Sequence, residues 1–109
     1  MSYNVVVSEE ATKEIKRLRK KYRLFKIDFA DWLTTLEDTP TQGEPLGKDC
    51  YKVRLAIRDK NKGKSGGARA IICVKVIDKR VIIMAVYDKS ELDSLQDKEL
   101  EERLKNLGY

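Results

Sequence analysis

Histidine is absent from the 109 residues of this chain. Its absence excludes histidine-based acid–base catalysis, His–Cys nucleophile pairs and the common zinc ligand sets, because each of these needs an imidazole. Any chemistry must therefore use lysine, arginine, tyrosine, aspartate, glutamate or serine side chains.

Cysteine is scarce, and long apolar runs are missing. The two cysteines, Cys50 and Cys73, each lie in an apolar segment. No apolar run approaches the roughly 20 residues needed to span a bilayer. The opening segment MSYNVVVSEE has neither the basic region nor the apolar region of a signal peptide. We therefore expect a cytoplasmic protein without a membrane partner, with reduced cysteines in the core of one domain over residues 1–109.

Charge is abundant and unevenly distributed. The net charge is +5, with a balance of +5 over residues 9–26 and +6 over residues 48–69. Residues 27–47 carry five acids and no base, and residues 70–109 balance at −1. Two basic blocks predict a surface with one basic side, which would attract a polyanion. A basic surface that is merely solvated is the alternative.

Two amphipathic helices follow a short strand at residues 3–7. Ser8 is a suitable N-cap for the first helix, with acids in the first turn. Its apolar stripe consists of Ala11, Ile15, Leu18 and Tyr22. The second helix repeats this spacing with Phe25, Phe29, Trp32, Leu33 and Leu36. It ends at Thr39-Pro40. Helices so close in sequence predict a hairpin that packs on a flat surface.

The clearest strand follows a loop at residues 41–48. Tyr51, Val53, Leu55 and Ile57 alternate with Lys52, Arg54, Ala56 and Arg58. Arg69 begins the next strand, so a hairpin would bring it close to Arg54 or Arg58. Clustered cations on a sheet face repel one another unless a ligand compensates. An RNA phosphate would compensate, and arginine suits bidentate contact with it. Alternatively, these side chains simply point into solvent.

The remaining chain predicts two more strands and a helix. A basic, glycine-rich loop occupies residues 59–67, and apolar strands of about 68–77 and 81–87 follow, joined by a turn at residues 78–80. A C-terminal helix carries Leu100, Leu104 and Leu107, with Asp97 as its possible N-cap. The predicted order is β-α-α-β-β-β-α.

These pieces together resemble the RelE/ParE superfamily of toxins, in its HigB-like branch. The resemblance covers essentially the whole chain. It rests on residues 43–47 (GEPLG), 49–55 (DCYKVRL), 63–69 (GKSGGAR) and 87–91 (YDKSE), in this order. The resemblance implies an α+β, RelE/barnase-like fold. In this fold an N-terminal helical hairpin packs on a twisted antiparallel sheet, and a short C-terminal helix follows. It also implies a type II toxin that cleaves mRNA on the ribosome and has a cognate antitoxin.

The resemblance also implies positions for the site. Lys52 and Arg54 match the family's paired basic residues, Arg69 matches the arginine that opens the next strand, and Lys89 matches a late basic residue. In the HigB-like pattern, Lys64 belongs with them. The late tyrosine of RelE would fall near Leu95, which cannot act as a base. The identity of the proton acceptor is therefore open.

The chemistry needs few protein groups. RNA can be cleaved by attack of its own 2′-OH on the adjacent phosphate, so no metal or other cofactor is expected. Arg54 and Arg69 would stabilise the charge of the phosphorane. Lys52 or Lys89 could be the base, and Glu91 and Tyr87 are the other candidates for proton transfer. The expected RNA- or ribosome-binding cations are Lys16, Lys20, Lys48, Arg58, Lys60, Lys62 and Lys64.

Two other functions are compatible with the sequence. A ParE-like member of the same superfamily would poison DNA gyrase instead of cutting mRNA. A non-catalytic basic protein would bind RNA or ribosomes, and loss of Arg69 would then weaken binding alone. The clustered cations on the sheet face favour the nuclease.

Overall fold

The computed structural model describes residues 2–60, 66–92 and 94–109. Its helices and strands are β1 (Asn4–Val7), α1 (Glu9–Lys21), α2 (Phe25–Asp38), β2 (Glu44–Gly47), β3 (Cys50–Leu55), β4 (Ala68–Lys75), β5 (Arg80–Asp88) and α3 (Asp97–Asn106). The predicted α+β class is confirmed. No helix in these ranges is long and apolar enough to cross a membrane.

The five strands form one sheet in the order β1-β5-β4-β3-β2. β1 runs parallel to β5, with Asn4 opposite Arg80, while the other neighbours are antiparallel. The expectation of a wholly antiparallel sheet is therefore wrong at this edge. The physical reason is that the helical hairpin separates β1 from its next strand, and a long connection permits a parallel partner.

Helices cover both faces of the sheet. α1 and α2 pack on one face, where Phe25, Leu36 and Ile72 are fully buried in the same apolar cluster. Leu100 and Leu104 of α3 belong to a second cluster on the other face. β4 and β5 lie between the two layers, which explains why their sequences are almost continuously apolar.

Several predicted boundaries shift. Residues 44–47, predicted as loop, pair with β3 as an edge strand, although Pro45 and the absence of alternation conceal it. The turn between β4 and β5 occupies residues 76–79 and not 78–80. Ser8 does cap α1, since its Oγ accepts a hydrogen bond from the Ala11 N–H at 3.1 Å. Gln96, and not Asp97, is the N-cap of α3.

Candidate functional site

Two arginines face each other on the sheet. Arg54 of β3 lies opposite Arg69 of β4, and Arg69 lies opposite Tyr87 of β5. The Val74 N–H donates to the Asp49 carbonyl oxygen at 2.9 Å. This bond identifies Cys50 and Cys73 as a non-hydrogen-bonded pair, and by the alternation of the ladder the two arginines form another such pair.

The arginine pair therefore has the closest spacing that an antiparallel ladder offers, with Cα atoms about 4.5 Å apart. Like charges directly opposite each other on one face destabilise a sheet. The backbone register thus places two permanent cations next to each other on one face of the sheet.

Arg54 and Arg69, together called the arginine row, differ in exposure. Arg54 is exposed and makes no ion pair within the ranges that the structure describes. Only 4% of Arg69 is exposed, and its Nη1 donates to the Ala68 carbonyl oxygen at 3.1 Å. Tyr87 is also buried. Lys52 lies one row further along the sheet, with its Nζ 3.9 Å from Glu44 Oε2.

Gly67 permits a close approach of the backbones of β3 and β4 next to the arginine row. A Cβ atom at Gly67 would come within 2.0 Å of the Leu55 carbonyl oxygen, so no larger residue fits without a backbone shift. The carbonyl of Gly67 accepts a hydrogen bond from the Lys89 N–H at 3.2 Å. The backbone of Lys89 thereby extends the pairing of β4 and β5 past Asp88, two residues beyond Tyr87.

A buried carboxylate organises the other side of this sheet end. The side chain of Asp88 has no exposed surface, and its Oδ1 lies 2.5 Å from the Lys60 Nζ. It also accepts hydrogen bonds from Tyr22 Oη, from Lys21 at 3.3 Å, and from the backbone and hydroxyl of Ser90 at 3.0 and 2.8 Å.

These contacts decide the protonation state of Asp88. Burial alone raises the pKa of this carboxyl, but the hydrogen bonds from Lys60, Tyr22 and Ser90 outweigh burial and hold its pKa well below the ordinary range. The ionised carboxylate fastens the end of β5 to α1 and to the 3₁₀ turn of residues 58–60. The sequence predicts site residues in segment 87–91 but not Asp88 itself. It also predicts that Tyr22 belongs to the apolar stripe of the first helix.

Glu91 faces α1 and not the arginine row. Its Oε2 accepts hydrogen bonds from Arg17 Nη2 at 2.5 Å and from Lys21 Nζ at 3.0 Å. These two bonds lower the pKa of Glu91. A lowered pKa makes the carboxylate a weaker base, so the geometry gives Glu91 no support as the proton acceptor.

Among the described residues, three of the predicted RNA-binding cations make ion pairs within the protein. β3 ends at Leu55, so the prediction that Arg58 shares the strand face with Arg54 is wrong. Arg58 lies in the 3₁₀ turn and contacts Asp28 at 2.7 Å and Asp31 at 3.0 Å, because α2 presents both acids to it. Lys60 binds Asp88. Lys48 pairs with Glu101 of α3.

The other predicted RNA-binding cations are on α1 or in the basic loop. Lys16 and Lys20 are exposed on α1. Lys62 and Lys64 lie outside the described residues. Among the described residues of the predicted site, the structure therefore brings Lys52, Arg54, Arg69, Tyr87 and Lys89 to neighbouring backbone positions.

α3 is held in place by a partly buried ion pair that the sequence did not reveal. Arg103 of α3 contacts both carboxylate oxygens of Glu14 on α1 at 3.0 Å, and its Nη1 donates to the Met84 carbonyl oxygen at 3.0 Å. Only 11% of the Arg103 side chain is exposed. Basic residues are common in the last turn of a helix, so no sequence pattern distinguishes this one.

The sequence matches one known family. Residues 11–108 match the family described as the RelE toxin of the RelE/RelB toxin–antitoxin system. No curated protein matches the sequence.

Solved structures of toxins have a similar fold. A double-arginine mutant of the E. coli toxin RelE in the free state is 22% identical, with a TM-score of 0.61 over 85% of this chain and 90% of that one. The RelBE2 toxin–antitoxin complex of Mycobacterium tuberculosis is 16% identical, with a TM-score of 0.61 over 81% and 99%. The isolated E. coli RelE toxin is 19% identical, with a TM-score of 0.56 over 97% and 99%.

Proposed function

The chain belongs to the family of RelE toxins, and we propose that it inhibits translation by cutting mRNA on the ribosome. It is then the endoribonuclease of a type II toxin–antitoxin module and acts in the cytoplasm. Its affiliation with the HigB-like branch within the superfamily is part of this proposal.

The opposed pair of Arg54 and Arg69 is the observation that carries the proposal. When a 2′-OH attacks the adjacent phosphate, negative charge accumulates on the non-bridging oxygens, and preorganised cations lower the energy of that state. Arg54 is exposed and would meet the phosphate first. Only 4% of Arg69 is exposed in the unbound chain, so direct contact of its guanidinium with the phosphate would need a local rearrangement.

Proton transfer falls to the groups beside this pair. The 2′-OH must lose a proton, and the departing 5′-oxygen must gain one. Lys52, Tyr87 and Lys89 adjoin the arginine row through the pairing of β3, β4 and β5. We assign the two proton-transfer roles to this trio.

The composition of the site supports dependence on the ribosome. A site made mainly of cations attracts RNA but does not by itself align a 2′-OH with the phosphorus atom. Alignment of the reacting atoms is worth many orders of magnitude in rate, so a partner that holds the mRNA would supply what the chain lacks. A cognate antitoxin is the second expected partner, and the similar M. tuberculosis structure is a toxin–antitoxin complex.

The test is translation of a defined mRNA in vitro with the purified protein, with new 5′ ends mapped by primer extension. The comparison includes mRNA without ribosomes and the variants Arg54→Ala and Arg69→Ala. We expect cuts only on translated mRNA, and a loss of about 10²–10³-fold in cleavage rate with either variant. The matched control is Arg80→Ala, which removes an exposed arginine from the opposite end of β5 and should leave cleavage unchanged.

Three results would contradict this proposal. Cleavage of mRNA without ribosomes would remove the ribosome dependence. Full-length mRNA at protein concentrations that stop translation would remove the nuclease and leave a non-catalytic RNA- or ribosome-binding protein. Unimpaired translation combined with loss of supercoiling in a DNA gyrase assay would establish the ParE-like target instead.

A further inference from the structure

Cys50 and Cys73 lie directly opposite each other on β3 and β4. Both cysteines are buried, and neither is in a disulfide. The hydrogen bond from Val74 N–H to the Asp49 carbonyl makes them a non-hydrogen-bonded pair. Cα atoms at such a pair are about 4.5 Å apart, which lies inside the range that a disulfide spans.

The two thiols already converge on one point. Cys50 Sγ lies 3.4 Å from the carbonyl oxygen of Lys48, and Cys73 Sγ lies 3.9 Å from the same atom. A hydrogen bond from the Cys50 thiol lowers the pKa of Cys73, and the ammonium group of Lys75 lowers it further. The same hydrogen bond, together with burial, raises the pKa of Cys50. Cys73 is therefore the more nucleophilic member, because the thiolate is the reactive form.

α3 covers this pair. Leu95, Leu100 and Leu104 belong to the same buried cluster as both cysteines. Cys50 and Cys73 are at most 1% exposed, so an oxidant in solution reaches the sulfur atoms after a local opening. The ion pair of Arg103 with Glu14 holds α3 in place. Local opening of a terminal helix is a common low-energy fluctuation.

We propose that Cys50 and Cys73 are a modification site at which a low-molecular-weight disulfide oxidises the two thiols to a cross-strand disulfide, with α3 as its gate. The Cys73 thiolate attacks one sulfur of the small disulfide and releases one small thiol. Cys50, giving up its proton, then attacks Cys73 Sγ and releases the second small thiol. Two protein thiols lose two electrons and two protons, and the small disulfide gains both.

The product would join β3 and β4 near their shared end. These are the strands that carry Arg54 and Arg69 at their other end. The proposal needs no nuclease activity and stands independently of the proposed function, because it concerns the backbone register and burial of the pair alone.

The experiment exposes the folded full chain to oxidised glutathione and follows free thiols and intact mass. We expect both thiols to disappear with the loss of two hydrogen atoms per chain, and peptide mapping to recover Cys50 joined to Cys73. Cys50→Ser should stop at a glutathione adduct on Cys73.

Opening of α3 is tested with Arg103→Ala, and with Glu14→Gln in case the first variant does not fold. Either should speed disulfide formation about tenfold, because loss of one partner of a partly buried ion pair favours the open form. Lys105→Ala, at an exposed position on the same helix, is the matched control. Equal rates in all four proteins would overturn the gate.

Two results would overturn the disulfide itself. One is persistence of both thiols in the folded chain under conditions that oxidise the denatured chain. The other is a product limited to glutathione adducts or to disulfide-linked dimers in the wild-type protein.

Discussion

At the scale of single residues, two arginines lie opposite each other on adjacent strands, an arrangement of like charges that β-sheets usually avoid. Arg54 and Arg69 occupy a non-hydrogen-bonded pair on adjacent strands. Like charges directly opposite each other on one sheet face repel unless an anion accompanies them. A phosphate bound at the pair, as in the proposed function, would be such an anion.

Asp88 shows the opposite arrangement, a buried anion surrounded by donors. Its carboxylate has no exposed surface and contacts Lys60, Lys21 and Tyr22. We expect Asp88→Asn to lower the free energy of unfolding by about 3 kcal/mol, because the variant leaves the largely buried ammonium group of Lys60 without its anion. Urea denaturation at neutral pH measures this loss. Asp38→Asn, at the exposed end of α2, is the control and should change it little.

The same carboxylate should shape stability at acid pH. The pKa of Asp88 is lowered in the folded chain from an ordinary value of 3.8. The unfolded chain therefore takes up the proton first. Its contribution is fully present above the ordinary pKa and is lost as pH falls through the folded pKa. Asp88→Asn should lack this part of the acid decline, and an equally steep decline in both proteins would contradict the assignment.

The arginine pair could be predicted from the sequence, whereas the Asp88 cluster could not. Alternation along β3 shows that Arg54 points away from Val53 and Leu55, and an apolar strand opened by Arg69 follows. The Asp88 cluster joins residues whose separation in sequence reaches 67 positions, as in the contact with Lys21. No local pattern encodes such a contact, so periodicity assigned Tyr22 to the core and missed its hydroxyl.

At the scale of whole elements, the two helical layers differ in how they are held. α1 and α2 pack on the sheet through large apolar side chains such as Phe25 and Leu36. α3 packs on the sheet through leucine side chains, which are smaller than phenylalanine. Its principal polar contacts are the ion pair of Arg103 with Glu14 and the hydrogen bond of Arg103 to the Met84 carbonyl. We infer that α3 is the layer that opens more readily.

This difference can be measured by amide hydrogen exchange. Arg103→Ala should raise exchange rates across α3 by about tenfold or more, because α3 loses a partly buried ion pair, and should leave α2 unchanged. Lys105→Ala, also in the last turns of α3, should match the wild-type chain. Uniform acceleration in all elements would instead mean that the Arg103 contact stabilises the whole fold.

Element types were predicted better than element pairing. Every predicted helix and strand exists, because 3.6-residue and two-residue periods are direct consequences of backbone geometry. β2 was missed, since four residues containing Pro45 have no room to alternate. The parallel pairing of β1 was missed because apolar residues 4–7 fit either direction beside β5.

The whole molecule carries a net charge of +5. Lys48, Arg58 and Lys60 are engaged in ion pairs within the protein. α1 keeps exposed cations, including Lys16 and Lys20. We therefore expect α1 and the arginine row to contribute most of the attraction for RNA among the described residues.

Salt titration tests this distribution of charge. Binding of a single-stranded RNA should weaken as salt rises, with a slope proportional to the phosphates neutralised, about −0.7 per contact. Lys16→Glu with Lys20→Glu should reduce that slope. The control pair Lys98→Glu with Lys105→Glu makes the same change in net charge on α3 and should reduce it less. Equal effects would mean that net charge alone attracts RNA.

The pairing of β1 with β5 also means that the sheet can form fully only after the ribosome has made β5. The Ser8 hydroxyl donates to the Met84 carbonyl across 76 positions of sequence. At a synthesis rate of about 5–20 residues per second, the first strand waits roughly 4–15 s for its partner. Until β5 has been made, the sheet lacks the strand that bears Tyr87 and Asp88. A chain whose synthesis stops before Asp88 holds no assembled site, so the site can form only after all of β5 has been made.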